Sequence, residues 1–527
     1  MDFVHLFELT IAMVFAMVVL HYLAHRAGLP PPVALIAGGA SLAFVPGLPS
    51  FPINPGLVLV LFLPPLLMDS AWVIALGQLK RHSIGIAALA IGAVLFTTLV
   101  VAIVAHLLVP SLPWAACAAL GAIVAPPDAV SVRVVLERVK LPRRLKILLE
   151  GESLLNDATG LVLFRFAIAA GLTGSFSATA AAGQFVLLAA GGAAVGMAVG
   201  LAWVKLARRL DDEYLLIAAT SLLSWIAYLV AERMHVSGVI ATVATGLIVS
   251  WHAHTVMSAS ARMRGSSFWD VTIFLIEAGV FMLIGLSLRG VVERAGGFGP
   301  VVATMGAPSL AILVAIVAAR FAWMFASDGV IHACARLGLT RHVPIGVRAS
   351  TVLGWAGVRG VVTLALALSV PDAFPGRDFI LVAASVVILG TVLVQATTLG
   401  RVIAWAKLAE TPSDKAPLTM NQAEAAMAQV QLVTIERHAY DGDGELIHPR
   451  LLERYQRKAT ISVDYAARPD HYSPMLHAHF DLVLAAVATG REELIRLHRA
   501  GAIDDETLHE LERDLDLEEL GALAAKA

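Results

Sequence analysis

Long apolar stretches follow one another along most of the chain and are separated by short polar segments. A helix that crosses a lipid bilayer needs roughly 20 mostly apolar residues. The pattern predicts an all-α polytopic membrane protein with about 13 transmembrane helices. The predicted segments are 5–24, 31–46, 56–77, 83–109, 113–136, 146–172, 184–207, 214–231, 235–252, 268–288, 302–326, 345–370 and 379–406.

Lys and Arg residues lie mainly in alternate loops between these segments. Five of them fall between 138 and 146, after the fifth segment, whereas the loops 47–55, 110–112 and 173–183 contain none. Cytoplasmic loops carry an excess of Lys and Arg. We therefore expect the N-terminus outside and the C-terminus in the cytoplasm.

The pattern changes near residue 409, where the polar stretch Glu410–Lys415 resembles a linker. The remainder is charged, and Arg491–Leu520 shows helical spacing of apolar residues. We predict a transmembrane domain over 1–408 and a cytosolic helical tail over 409–527. Two interpretations of the tail stay open, a packing or dimer-supporting unit and a regulatory unit.

The composition supports a membrane protein and excludes several other classes. Of the 527 residues, 58% are apolar and 15% are charged, and the mean hydropathy is +0.78. A soluble protein is nearer 25% charged. A formal net charge of −2 gives no indication of a nucleic-acid partner. Cys117 and Cys334 are too few for a disulfide framework.

Charged side chains occur inside the predicted membrane segments. Each costs at least ~2.5–3.5 kcal/mol at mid-bilayer on insertion scales, so such residues usually pair or line a cavity. A carboxylate in a partly wet cavity can bind a small cation or hold a proton. One carboxylate that binds either would exchange them by competition. These residues are Asp69, Asp128, Glu152, Asp157, Arg165, Glu277, Arg320 and Arg359.

The fifth segment contains Pro126 and Pro127 directly before Asp128. Prolines remove amide donors and break the helical hydrogen-bond ladder. A broken helix at bilayer depth is tolerated only where it is buried or lines a cavity. Carbonyls freed beside Asp128 would form a cation site, and the plainer alternative is a kink with Asp128 satisfied locally.

In the sixth segment, Ser153, Asn156, Asp157 and Gly160 share one helix face. Glu152 lies about 140° away from Asp157 around an ideal helix and needs another partner. The twelfth segment offers Arg359 within a glycine-rich break. We predict a fixed Glu152–Arg359 ion pair, which leaves Asp157 as the exchangeable group.

The fifth and twelfth segments hold corresponding places in two sets of six helices, 1–6 and 8–13. Paired interrupted segments indicate an inverted-repeat transporter with a site at the bilayer midplane. Of the remaining charges, Arg320 is expected to be a structural partner and Arg165 to extend toward the outer interface. For Glu277, a cavity-facing role and a pairing role stay equally open.

These residues resemble the monovalent cation/proton antiporter family, in particular bacterial Na+/H+ exchangers related to animal sodium/proton exchangers. The most specific motifs are Gly-Glu-Ser-Leu-Leu-Asn-Asp at 151–157 and Gly-Val-Arg-Gly at 357–360. Supporting matches lie at 63–69, 236–241 and 281–286, and the resemblance covers roughly 1–408.

The resemblance implies a homodimer with a core domain and a dimerisation domain, and elevator-like alternating access. It implies that Asp157 binds the cation and the proton, and that Asp128 and Ser153 add oxygen ligands. Asn156 would hold the local geometry. Asp69 would lie near the site and contact it through a water molecule.

Glu152 and Arg359 match the ion pair of that family. The Asn156–Asp157 sequence resembles the electroneutral type, which exchanges one cation for one proton. Many relatives have Thr-Asp-Pro at the first break, whereas this chain has Pro127-Asp128-Ala129. The threonine oxygen is therefore absent, which leaves the choice among Na+, K+ and Li+ open.

We therefore expect a multi-pass protein of the inner (plasma) membrane that exchanges Na+, or Li+ or K+, for H+. Its partners would be monovalent cations, protons, the lipid membrane and a second copy, with no nucleic acid, cofactor or enzymatic activity. The alternatives are a K+/H+ antiporter and a proton-insensitive cation channel. A membrane enzyme is disfavoured because the helices contain no His-Glu-x-x-His or similar metal set.

Overall fold

A computed structural model describes residues 3–45, 55–74, 76–128, 141–174, 178–338, 343–408, 418–440 and 445–526. Their regular secondary structure is helical, apart from one isolated bridge between Tyr440 and Leu446. The predicted all-α class is confirmed. The chain forms two compact units, Met1–Glu410 and Thr411–Ala527.

The first unit is built from apolar helices joined by short connections. Three of them, Ser83–Leu108, Phe298–Arg336 and Arg377–Ala406, contain π-helical segments at Ala88–Ala93, Val301–Gly306 and Thr391–Ala396. The helices are α1 (Phe3–Arg26), α2 (Pro31–Ala43), α3 (Pro55–Val73), α4 (Leu76–Arg81), α5 (Ser83–Leu108), α6 (Trp114–Val124), α7 (Arg143–Thr173), α8 (Ala178–Ala207), α9 (Glu213–Arg233), α10 (Gly238–Val256), α11 (Ala259–Arg294), α12 (Phe298–Arg336), α13 (Val347–Trp355), α14 (Val361–Leu368) and α15 (Arg377–Ala406).

Within the described ranges, nine helices are long and apolar enough to cross a membrane, and three shorter apolar helices accompany them. The prediction of a polytopic membrane protein is confirmed. The count of thirteen helices and the inverted repeat stay predictions. The part of the fifth predicted segment from 129 to 136 lies outside the described residues.

Two of the predicted segments are interrupted as the sequence indicates. Helix α6 ends at Val124, and residues 125–128 are not helical. The twelfth predicted segment divides into α13 and α14, with residues 356–360 between them. Both interruptions lie against α7 and α15, whose neighbouring side chains are largely buried. The two breaks therefore lie inside the helix bundle.

The second unit contains α16 (Met420–His438), α17 (Pro449–Ala467), α18 (Pro469–Arg499) and α19 (Asp505–Lys526). The single helical pattern over 491–520 belongs to two helices, because the chain turns between them with Gly501 at φ 70°. Arg491 of α18 binds Asp516 at 2.6 Å and Glu519 at 2.7 Å on α19. The helical spacing of apolar residues continues through the turn, so the sequence pattern does not indicate where the first helix ends.

Candidate functional site

The two helix breaks are joined through their backbones. The amide of Asp128 donates a hydrogen bond to the carbonyl of Val358 at 2.7 Å. Asp128 follows the two prolines of the first break, and Val358 lies in the second. The broken ends of α6 and α13 therefore meet at one place in the bundle.

Arg359 satisfies the carbonyls that the first break leaves free. Its Nε donates to Val124 O at 2.8 Å and its Nη2 to Ala125 O at 3.1 Å, while Nη1 donates to Gly357 O. Its own amide donates to Thr391 Oγ1 at 3.0 Å. A positive charge at the C-terminal end of a helix also interacts favourably with the negative end of the helix dipole. The sequence predicts that the carbonyls freed by the break form a cation site beside Asp128, whereas two of them accept hydrogen bonds from the guanidinium instead.

The partner of Glu152 is Arg320, and the predicted Glu152–Arg359 pair is wrong. Arg320 Nη1 and Nη2 donate to Glu152 Oε1 and Oε2 at 2.7 and 2.9 Å, and Nε donates to Leu353 O at 3.0 Å. Both side chains are almost fully buried. Arg320 can present both nitrogens to the carboxylate, whereas Arg359 is directed to backbone carbonyls. The expectation that Arg320 is a structural partner is confirmed.

Gly357 allows the two arginines to lie close together. A Cβ atom at this position would lie 2.6 Å from Arg320 Cδ and 2.7 Å from Arg359 Nη1. Such distances are too short for any side chain. The glycine of the second break therefore accommodates both guanidinium groups, one facing Glu152 and the other facing α6.

Asn156 links α7 to the first break. Its Nδ2 donates to Pro127 O at 2.8 Å, and the side chain is fully buried. This bond fixes the amide orientation and leaves Oδ1 buried, with no hydrogen-bond donor among the described residues. The predicted role of Asn156 in holding local geometry fits this contact.

Asp157 lies beside Asp128 at this crossing. Asp157 is buried, and in the described part of the chain its carboxylate has no hydrogen bond and no ion pair. The two carboxylates are close enough to interact electrostatically. The Asp128 side chain lies against Gly360, where an added Cβ would be 2.6 Å from Asp128 Cγ. Two acidic groups thus share one buried region.

The structure leaves the proposed roles of Ser153 and Asp69 untested. Ser153 is partly buried on α7, one turn before Asp157. Asp69 is partly buried on α3, which packs against α7. Ala129, where this chain departs from the family motif, lies outside the described residues. The cation-ligand set as a whole stays a prediction.

Arg165 has a defined partner. Its Nη2 lies 3.2 Å from Glu232 Oε2 on α9, and Glu232 Oε1 also accepts from the amide of Gly238 at 3.4 Å. The side chain is directed to α9, with about half of its surface exposed. Glu277 is partly buried on α11, and its two interpretations stay open.

The chain matches known proteins over most of its length. The family described as "Sodium/hydrogen exchanger, transmembrane" matches residues 11–405. An uncharacterized Na(+)/H(+) exchanger of Mycobacterium tuberculosis is 34% identical, over 97% of this chain and 95% of that protein. A sodium, potassium, lithium and rubidium/H(+) antiporter of Bacillus pumilus is 32% identical, over 70% of this chain and 57% of that protein.

A solved structure has the same fold. The sodium proton antiporter MjNhaP1 from Methanocaldococcus jannaschii, at pH 8, superposes with a TM-score of 0.60 and 21% sequence identity. The match covers 76% of this chain and 98% of that one. Together with the family match, these findings show that the chain is a member of the transmembrane sodium/hydrogen exchanger family.

Proposed function

We propose that this protein is a secondary antiporter that exchanges a monovalent cation for a proton across the plasma membrane. The cation and the proton compete for Asp157. One observation carries the proposal: Asp157 is a buried carboxylate with no ion pair or hydrogen bond in the described part of the chain. Glu152, on the same helix, is neutralised by Arg320.

Competition follows from the cost of burying a charge. An isolated carboxylate away from water is unfavourable unless a proton or a cation neutralises it. Asp157 and Asp128 supply oxygen atoms that suit a small cation, and we propose Ser153 as a further ligand. Since one carboxylate binds either species, exchange of one cation for one proton is electroneutral.

We propose Na+ as the principal cation. A Bacillus pumilus relative is named for antiport of sodium, potassium, lithium and rubidium. Pro127 precedes Asp128 and offers no hydroxyl, which reduces the number of oxygen ligands that could select one ion. A K+/H+ antiporter is therefore the second candidate, and the ion series below separates the two.

We propose that transport occurs by alternating access in a homodimer. Broken helices that meet at a binding site are a recurring arrangement in transporters that alternate between two open states. The joined breaks and the carboxylates on α7 belong to one packed region, which could move as a body. The family resemblance supports the dimer.

The test is cation-driven proton movement in proteoliposomes that contain an internal pH dye. Na+, Li+, K+ or choline is added against an imposed pH gradient. We expect dequenching with Na+ and Li+, unchanged when the membrane voltage is clamped, and no response with Asp157→Asn. The matched control is Asp372→Asn, because Asp372 is exposed and lies outside the site.

Other outcomes of this experiment would favour the alternative functions. Dequenching with K+ equal to that with Na+ would favour a less selective antiporter, and dequenching with K+ but not with Na+ would favour the K+/H+ antiporter. Cation currents without proton movement would favour the channel. Full exchange by a well-folded Asp157→Asn protein would contradict the assignment of Asp157.

A further inference from the structure

An apolar cavity of about 290 Å³ lies between α12 and α15, beside the end of α13. For comparison, an engineered apolar cavity of about 150 Å³ binds benzene. This cavity therefore has room for a longer piece of hydrocarbon. Its lining residues are Leu313, Val314, Val317, Ala318, Trp355, Gly390, Thr391, Val394 and Gln395.

The cavity opens on the outer face of the helix bundle. Val314 and Val394 line it and are both more than half exposed, and their neighbours Leu310 and Leu393 are also exposed. Helices α12 and α15 are long and apolar enough to span the membrane. A membrane-spanning helix presents its outward apolar side chains to lipid hydrocarbon, so we infer that the mouth of the cavity faces lipid.

We propose that this cavity binds the acyl chain of a membrane lipid. An empty apolar cavity loses the dispersion contacts of its lining atoms, and hydrocarbon restores them. The mouth faces the one medium that supplies such chains. The inference is independent of the proposed transport function, because it depends only on the cavity and its membrane setting.

Two lining residues connect the cavity to the second helix break. Trp355 is the last residue of α13, and its Nε1 donates to Thr398 Oγ1 at 2.9 Å. Thr391 accepts the hydrogen bond from the amide of Arg359 at 3.0 Å. A bound chain would contact both residues and so brace the position of Arg359. We therefore expect lipids with long acyl chains to raise the thermal stability of the purified protein.

Substitution of Gln395 distinguishes a hydrocarbon ligand from a polar one. Its side chain is 2% exposed, and neither amide atom has a hydrogen-bond partner in the described chain. A hydrocarbon chain needs no hydrogen bond. Gln395→Leu should therefore preserve lipid binding and stabilise the protein, because it removes two unsatisfied polar atoms.

The test uses the full-length protein in liposomes that contain phosphatidylcholine with a photoreactive diazirine in its acyl chain. Labelled peptides are identified by mass spectrometry. We expect labelling concentrated at 313–318 and 390–395, and reduced severalfold by Ala318→Phe, which fills the mouth. Ala326→Phe is the control, because Ala326 is exposed two turns further along α12 and does not line the cavity.

Ala318→Leu replaces Ala318→Phe if the larger side chain prevents folding. Even labelling along the lipid-facing helices, unchanged by either substitution, would overturn the proposal. Loss of labelling in Gln395→Leu would show that binding depends on the Gln395 amide rather than on hydrocarbon contacts, and would also overturn the proposal. The same holds if the cavity stays unlabelled while other lipid-facing residues are labelled.

Discussion

Two buried carboxylates on one helix have opposite surroundings. Glu152 and Asp157 lie five residues apart on α7 and are 1% and 8% exposed. Glu152 receives two hydrogen bonds from Arg320, whereas Asp157 has no ion pair in the described chain and lies beside Asp128. Burial therefore does not distinguish the two carboxylates, whereas among the described residues a fixed cation lies beside only one of them. This difference supports the proposal that Asp157 is the exchangeable group.

The same comparison explains why the site contains two buried arginines. Arg320 neutralises Glu152, and Arg359 holds the carbonyls of Val124 and Ala125 at the end of α6. Neither guanidinium has an ion pair with Asp157. Both guanidinium groups make structural contacts instead, which supports the proposal that a mobile cation or a proton neutralises Asp157.

The largest expected effect on stability is that of Glu152→Gln. Removal of one partner from a buried ion pair costs roughly 3–5 kcal/mol, because the other charge stays buried and uncompensated. Asp157→Asn should leave the thermal unfolding temperature unchanged or raise it, since it removes an unpaired charge. Thermal unfolding of the purified variants measures both. An equal fall in unfolding temperature for the two variants would show that the two carboxylates do not differ in their need for a fixed cation.

The double variant Glu152→Leu/Arg320→Met shows whether the loss in Glu152→Gln comes from the uncompensated charge of Arg320. Replacement of a buried ion pair by apolar residues of similar volume is often neutral or stabilising. We expect the double variant to recover most of the stability that Glu152→Gln loses. A double variant as unstable as the single one would show that the ion pair stabilises the bundle by more than mutual neutralisation of the two charges.

Gly360→Ala is expected to have the next largest effect. The added methyl group would occupy the space of the Asp128 carboxyl group and overpack the crossing, at a cost of roughly 1–3 kcal/mol. Because Asp128 is displaced, exchange should fall close to background even in folded protein. Gly329→Ala is the control, since no atom lies within 4 Å of an added Cβ there. Normal exchange by Gly360→Ala would contradict the placement of Asp128.

Asn156→Ala should have a smaller effect. It leaves the buried carbonyl of Pro127 without its donor, which costs about 1–3 kcal/mol. The first break would become less fixed beside Asp157, so we expect a higher apparent KM for the cation with exchange retained. Thr304→Ala serves as the control, because its hydroxyl also donates to a proline carbonyl but is exposed. An unchanged KM would show that this contact does not position the site.

Arg165→Gln is expected to have the smallest effect. Ion pairs with this degree of exposure contribute about 0–1 kcal/mol. The unfolding temperature should fall slightly at low salt, and the difference should shrink at high salt because salt screens exposed charges. Exchange should be unchanged. A loss comparable to that of Glu152→Gln would place Arg165 among the fixed charges of the site.

The sequence predicts the spans and the breaks because their causes are local. Hydropathy marks the membrane helices, Pro126 and Pro127 mark the first break, and glycines mark the second. Helical spacing also places Asn156 and Asp157 on one face. These features depend only on residues close together in the chain.

The partners across the bundle are not local, so periodicity does not determine them. The helical angle shows that Glu152 is directed away from Asp157, but two arginines more than 160 residues away could meet it. A signal for Arg359 exists, because the end of a broken helix leaves carbonyls that need donors. An arginine in the second break is therefore a candidate donor to the free carbonyls at the first break.

Proton release on cation binding shows directly whether the cation and the proton compete for Asp157. Na+ is added to the purified protein in weakly buffered detergent solution, and the pH change is measured. We expect release of protons by wild type and by Glu152→Leu/Arg320→Met, with none from Asp157→Asn. We also expect a weaker apparent cation affinity at lower pH, because the proton occupies the same carboxylate. Undiminished proton release by Asp157→Asn would show that the two ions do not compete for this residue.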